Sequence, residues 1–361
     1  MRKNAIRQTR RRNEKAAPQP DSSSPPPTFP SQFGGGLLWL ALAATTLTGC
    51  TGITIPPRAG AATATYQLVQ EPDAGYQPLL DLLHGARREI RMTMYQLTDR
   101  DVIAELIAAH RRGVSTRVIL DDAFHGRATN TSAFDTLRDA GVEVRWAPAA
   151  IIYHQKSFTV DAVIAAIGTG NLTKSHTDTR DAYILDTDPT DVHAIEATFD
   201  ADYTATDIGR PPAGTPSANL IWSPDARAQF LRRITTATSS LDITSEEFKD
   251  HAVVEAVAHT ARRGITCRVL LTDNPAWHSA LDTVTAAGCA VHLLPARRGT
   301  LYMHEKLLLI DDTTLVIGSH NLTTTSLLEN RELSLTLTCT NAAPVLAAVK
   351  ETFNNDFNAA Q

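Results

Sequence analysis

Apolar and polar positions along the chain fall into short blocks that switch between two periods. From residue 79 the order is Leu79-Leu80-Asp81-Leu82-Leu83, then Glu89-Ile90-Arg91-Met92-Thr93-Met94-Tyr95. A stretch ending His110-Arg111-Arg112-Gly113 follows, and then Arg117-Val118-Ile119-Leu120-Asp121. Val102, Leu106 and Ile107 recur at helical spacing, whereas the short β-branched runs predict buried strands. Gly113 suits a helix C-cap, as Gly264 does later in the chain.

The same block order is written a second time. It runs Phe230-Leu231-Arg232-Arg233-Ile234, Leu241 to Glu247, a stretch ending Ala261-Arg262-Arg263-Gly264, and Arg268 to Asp273. Each half continues into a helix ending Ala-Gly (Ala140-Gly141, Ala287-Gly288) and a short strand, Val142–Trp146 or Cys289–Leu294. A strand–helix unit used twice implies one architecture used twice. The expected fold is α/β: two tandem, similar α/β lobes side by side, each a mostly parallel sheet flanked by helices. The first lobe is expected over residues 66–209 and the second over 219–361, with a Pro/Gly-rich linker at 210–218.

Within this repeat lies a repeated set of reactive side chains. The first lobe carries His154-Gln155-Lys156 and Asp161, followed by Gly168-Thr169-Gly170-Asn171. The second carries His304-Glu305-Lys306 and Asp311, followed by Gly318-Ser319-His320-Asn321, offset by 150 residues at every position. One H-x-K-x-x-x-x-D alone is weak evidence, but two copies with the same trailing G-x-x-N are not coincidence. On a strand, His154 and Lys156 face the same side. The polar break at Asp161, clearest in the second copy as Asp311-Asp312-Thr313-Thr314, predicts a hairpin with 163–167 as the returning strand. Folding about 162/163 sets Asn171 opposite His154, and folding about 312/313 sets Asn321 opposite His304.

That set suits a phosphodiester. Lys156, Lys306, Asn171 and Asn321 supply charge and donors for non-bridging oxygens, and His154 and His304 supply a nucleophile and a proton donor near neutral pH. No carboxylate cluster accompanies the motif, and a Lys beside each His disfavours a metal, so no metal or cofactor is expected.

The N-terminal region differs from the rest. Residues 1–50 run from a basic stretch (Arg2 to Lys15) through a Pro/Ser-rich segment to an apolar run, Leu37 to Leu47, and then Leu47-Thr48-Gly49-Cys50. This order is that of a secretory signal, and the apolar run is too short to span a bilayer comfortably. The last four residues resemble a bacterial lipobox with Cys50 as lipidation site. The expectation is an exported, lipid-anchored protein with a leader at 1–50 and a tether at 51–65. A plain signal peptide or a short anchor is the alternative. Residues 1–49 hold seven basic and two acidic residues, so their removal takes the net charge from −5 to −10. An acidic mature chain argues mildly against nucleic acid as the main substrate, although Arg297-Arg298 marks a local basic point. Cys267, Cys289 and Cys339 each lie in an apolar run: Cys267 and Cys289 can pair if their strands are neighbours, and buried free thiols are the other reading.

The doubled His-Lys-Asn set resembles the phospholipase D superfamily over nearly the whole mature chain. The resemblance implies a two-step, metal-independent displacement. One His attacks phosphorus to form a phosphohistidine; the other protonates the leaving alcohol and then activates water or an acceptor alcohol. Family precedent makes His154 the nucleophile and His304 the general acid/base. The family also carries an acid after the Asn that orients an imidazole, for which Asp181 and Glu332 are the candidates. Which His each one serves stays open. The first copy has Thr169 in place of Ser, and its segment from Asn171 to the acid is one residue shorter. Asp161 and Asp311 are expected as turn or scaffold residues. Glu246 and Glu247 take the slot of Met94 and Tyr95, a pocket-lining position in family members. His110, His259 and His320 carry no motif and are expected at the surface or in satisfied core sites.

Phospholipid is the expected substrate, favoured by export, the tether and the acidic balance, with a secreted nuclease as the alternative. No apolar lid or aromatic-rich loop stands out. Cardiolipin-synthase-like transphosphatidylation ranks lower because no transmembrane helix is predicted, and a non-catalytic phosphate-polymer binding protein is the reading from another class. Both half-sites lie in one chain, so a monomer suffices.

Overall fold

The computed structural model describes residues 64–205 and 217–360. The leader, Cys50, most of the tether and most of the expected linker lie outside the described residues. The strands of the first half are β1 (Tyr66–Glu71), β2 (Glu89–Met94), β3 (Ser115–Leu120), β4 (Glu143–Trp146), β5 (Lys156–Val160), β6 (Ile164–Gly168) and β7 (Thr179–Asp186). Those of the second are β8 (Leu220–Ser223), β9 (Ser240–Thr244), β10 (Thr266–Thr272), β11 (Ala290–Leu294), β12 (Tyr302–Met303), β13 (Leu307–Ile310), β14 (Thr314–Gly318) and β15 (Glu332–Thr338).

The two sheets share one topology. The first runs β1-β7-β6-β5-β2-β3-β4 and the second, read from its other edge, β8-β15-β14-β13-β9-β10-β11. Both are mixed, which corrects the expectation of mostly parallel sheets. Only β2–β3 and β3–β4, and their counterparts β9–β10 and β10–β11, are parallel; the other pairings along each path are antiparallel. The physical reason lies in the connections. Helices Arg100–Arg111 and Gly126–Asp139 cross over between β2, β3 and β4, whereas the motif strands are joined by tight turns that can only reverse the chain.

The motif hairpins also differ from expectation by one residue. Val160 pairs with Ile164 and Ile310 with Thr314, so each turn has three residues, and β6 is 164–168 rather than 163–167. Asp161 and Ala162, like Asp311 and Asp312, adopt left-handed φ near +55°, the conformation that absorbs the extra residue. The Asp161 carboxylate accepts the backbone N–H groups of Arg87, Arg88 and Glu89, and Asp311 accepts those of Thr238, Ser239 and Ser240. These bonds hold the Asp311 carboxyl at about 2 although partial burial opposes it. Both motif aspartates therefore lock a turn to the neighbouring strand entry.

The apolar runs are explained by burial on both faces. One face of each sheet packs on its own helices. Between the sheets, Ala165, Ile167, Ala182 and Ile184 meet Leu307, Leu309, Leu315, Ile317, Leu333, Leu335 and Leu337 in a shared apolar layer. That layer fixes one hairpin against the other. Outside it, Cys267 and Cys289 lie opposite each other just before β11 and form a disulfide with Cα atoms 4.5 Å apart, while Cys339 is free.

Candidate active site

The two motif ends meet across a single cavity of about 340 Å³, lined by His154, His304, Asn171, Asn321, Asp181, Glu246 and other residues. Lys156 and Lys306 lie beside it, almost fully buried. The hairpins deliver these groups because residues 154 and 304 lie two and three positions before β5 and β13, while 171 and 321 lie three positions after β6 and β14. By count, the three-residue turns set Asn171 opposite Tyr153 rather than His154, one step from the expected pairing. Gly168 and Gly318 permit the approach: a Cβ on Gly168 would lie 2.2 Å from the Tyr183 ring, and one on Gly318 would lie 2.4 Å from the Leu333 carbonyl.

The orienting acids are exchanged between the lobes. His154 Nδ1 is 2.8 Å from Glu332 of the second half, and His304 Nδ1 is 2.8 Å from Asp181 of the first. The backbone follows the same exchange. His154 N–H donates to the Arg331 carbonyl and His304 N–H to that of Arg180; Tyr153 bridges Arg331, and β12 pairs with β7. Asp181 reaches His304 in spite of its shorter segment and is held there by Thr169 Oγ1, which donates to it at 2.7 Å. On the other side Ser326 and Asn330 donate to Glu332 at 2.7 and 3.0 Å. Arg180, paired with Asp356, and Arg331, paired with Asp202, are buried beside the acids. The shared pattern Arg-Asp/Glu at 180–181 and 331–332 is the signal in the chain for this crossed support.

The half-sites differ in what faces each imidazole. The strand registers place Tyr95 and Gln96 at the positions of Glu246 and Glu247, one residue later than the sequence comparison set them. Tyr95 stacks edge-on against His154 with centroids 4.7 Å apart and lies under Lys156 Nζ at 4.9 Å. Glu246 Oε2 lies 3.2 Å from His304 Nε2, 3.2 Å from Lys306 Nζ and 3.4 Å from Asn321 Nδ2. Glu246 is thus a principal group of the site that sequence reasoning marked only as a lining residue. Among the other histidines, His320 is a satisfied core residue, bonded to Ser223 and Ser334 and driven down to about 4 by burial.

Protonation follows from these surroundings. For His154, burial, helped by Lys156 and Lys306, outweighs Glu332 and pulls its pKa below the ordinary 6.5. For His304, burial is outweighed by Asp181 and Glu246, and the pKa rises. Lys156 is brought down to about 7 by burial and by Lys306. The Glu332 carboxyl is held at about 2 despite its burial, chiefly by His154. Of the two imidazoles, His154 is therefore the readier to lose its proton and His304 the readier to keep it. Phe124, 76% exposed, and Tyr302, 41% exposed, stand at the cavity mouth; these aromatic positions are not evident as a lid in the sequence. Among the described residues no cluster of His, Cys, Asp or Glu is arranged to hold a metal ion.

Comparison with known proteins adds the family. The family model described as "Cardiolipin synthase, PLD-like domain" matches twice, over residues 79–203 and 230–357. The chain belongs to the phospholipase D-like family. The phospholipase D-like halves so matched each contain one His-Lys pair and one orienting acid. Over 118 residues the chain is 31% identical to the mitochondrial cardiolipin hydrolase of Xenopus laevis, covering 33% of this chain and 55% of that protein. It is 24% identical over 303 residues to cardiolipin synthase A of Pseudomonas fluorescens (strain SBW25), covering 73% and 63%. The chain thus spans little more than half to just under two thirds of these relatives' length. The crystal structure of phosphatidylserine synthase from Haemophilus influenzae Rd KW20 shares the fold with a TM-score of 0.63 at 11% identity, covering 81% of this chain and 85% of that one.

Proposed function

We propose that the chain is a metal-independent phosphodiesterase acting on phospholipids, with His154 as nucleophile and His304 as general acid and base. The observation that carries this reading is geometric: two imidazoles, each held at Nδ1 by the other lobe's acid, face one cavity beside two buried lysines. Neutral His154 attacks phosphorus through Nε2, with its Nδ1–H held by Glu332. Lys156, Lys306 and the two Asn amides take the charge that builds on the non-bridging oxygens. Protonated His304 gives its proton to the departing alcohol and, left neutral, deprotonates the second nucleophile, which frees His154.

The names of the relatives bear on that second nucleophile. One is a hydrolase and the others are synthases, so transfer to an acceptor alcohol stands beside hydrolysis as the second reading. Phospholipid is preferred over nucleic acid by those names and by the acidic mature chain. Export and lipidation at Cys50 belong to the same proposal, because a tether holds an enzyme at a bilayer.

The test offers phosphatidylglycerol and phosphatidylcholine vesicles to the purified protein and to H154A, with and without glycerol and without added metal. Head-group release with phosphatidic acid means hydrolysis, and a new phospholipid means transfer. Turnover of DNA but not of lipid overturns the substrate assignment. Mass spectrometry of the N-terminal peptide from cells reports whether Cys50 carries diacylglycerol.

A further inference from the structure

The cavity's second half already holds an anion of its own. Glu246 Oε2 is within 3.2 Å of His304 Nε2 and Lys306 Nζ and 3.4 Å from Asn321 Nδ2, the three groups assigned above to the phosphoryl oxygens and leaving group of a substrate. The other oxygen, Oε1, accepts from the Tyr302 hydroxyl at 3.1 Å at the cavity mouth. The first half has an aromatic ring instead, since Tyr95 stands at the matching position and meets His154 in a T-shaped contact. A phosphodiester brings a negative charge of its own. It cannot share those donors with a carboxylate at hydrogen-bonding distance without strong like-charge repulsion.

We propose that Glu246 is a displaceable internal anion that occupies the phosphate seat of the resting site and is exchanged for the substrate's phosphate. Its side chain is 24% exposed and gripped on its outer side only by Tyr302, itself at the mouth, so it has a route outward. In place, it keeps the charges of His304 and Lys306 compensated while the cavity is empty. Asp181 already partners His304 at Nδ1, but buried Lys306 has its ion-pair partner in Glu246, and leaving it uncompensated would be costly. Glu246 is in this sense a positioning residue, and it makes the site select ligands whose anion competes better than a carboxylate. The proposal rests on the reading of the cavity as a phosphodiester site.

Inorganic phosphate is the probe, titrated calorimetrically into the wild-type chain, E246Q and Y302F. Removing one charge a few ångströms from the seat is expected to tighten phosphate binding in E246Q by at least about tenfold. Y302F, which frees only the outer grip, is expected to tighten it by about two- to fourfold, the scale of one exposed hydrogen bond. In turnover, E246Q lowers KM for the phosphodiester more than it changes kcat, a split that a structural defect would not produce. Equal or weaker phosphate binding in both variants, with measurable binding to the wild-type chain, overturns the exchange while the phosphodiester reading stands. No phosphate binding by any of the three proteins overturns both.

Discussion

The two halves of this site are copies in sequence and unlike in chemistry. Around His154 the neighbour across the strand is an aromatic ring, and burial keeps the imidazole neutral. Around His304 it is the Glu246 carboxylate, which with Asp181 keeps the imidazole charged. A repeat that had stayed symmetric would offer two equivalent imidazoles. At one matching position, Tyr95 against Glu246, the second half carries a carboxylate that adds to Asp181 in raising the His304 pKa, whereas the first half has a ring there and burial prevails at His154.

The largest expected effect tests that division. H154A should lose turnover by more than about 10⁴-fold and form no covalent phosphoryl adduct detectable by mass spectrometry. H304A should lose about 10²–10⁴-fold, the scale of a missing general acid. An adduct on His304 in the wild-type chain would reverse the roles.

The crossed acids give the next effect. E332Q and D181N should each lower kcat by about 10–100-fold. In ring-nitrogen NMR, of the two cavity histidines E332Q should move chiefly the titration of His154 and D181N chiefly that of His304, although each acid lies in the other half of the chain. A shift confined to the histidine of the acid's own half would sink the exchange.

The pH profile sharpens the comparison without mutation. kcat/KM should rise with pH as His154 loses its proton below 6.5 and fall as His304 loses its proton above 6.5 and Lys156 loses its own at about 7. E246Q removes a group that raises the pKa of His304 and of Lys156, so the alkaline limb should move to lower pH by more than the acid limb. Movement of the acid limb instead would contradict the assignment.

Stability is where the halves should behave alike. Leu335, fully buried in the layer between the sheets, should cost about 2–5 kcal/mol when changed to Ala, read as one denaturation transition because both lobes use that layer. Two separate transitions would mean that the lobes fold independently. The smallest effect is at the motif turns. D311A should destabilise by about 2 kcal/mol through its lost charge-assisted bonds to backbone N–H groups. Because Asp311 is at about 2 when folded against 3.8 unfolded, its contribution is complete above 3.8 and disappears as pH falls through 2. Acid titration of wild type against D311N reads this directly.

Much of this was legible in the chain. The repeat, the two-lobed α/β architecture and the His-Lys-Asn spacing depend on periodicity and offset, which are local properties. Strand direction was misjudged because a helix crossover and a tight turn both follow an apolar run, and only the turn reverses it. The slip at Asn171 arose because folding the hairpin about two turn residues omits the third, which Asp161 and Ala162 accommodate by bending left-handed; the slip at Glu246 came from matching strands β2 and β9 by their apolar runs, one residue off the register in which each pairs with its motif strand. What the linear order determined by itself is which reactive groups the protein owns and that it owns them twice. Which acid serves which histidine, which imidazole is charged and what fills the seat beside His304 were decided only when the apolar layer pressed the sheets together. Those contacts join residues more than a hundred positions apart, and their energies depend on distance and burial that no spacing along the chain encodes.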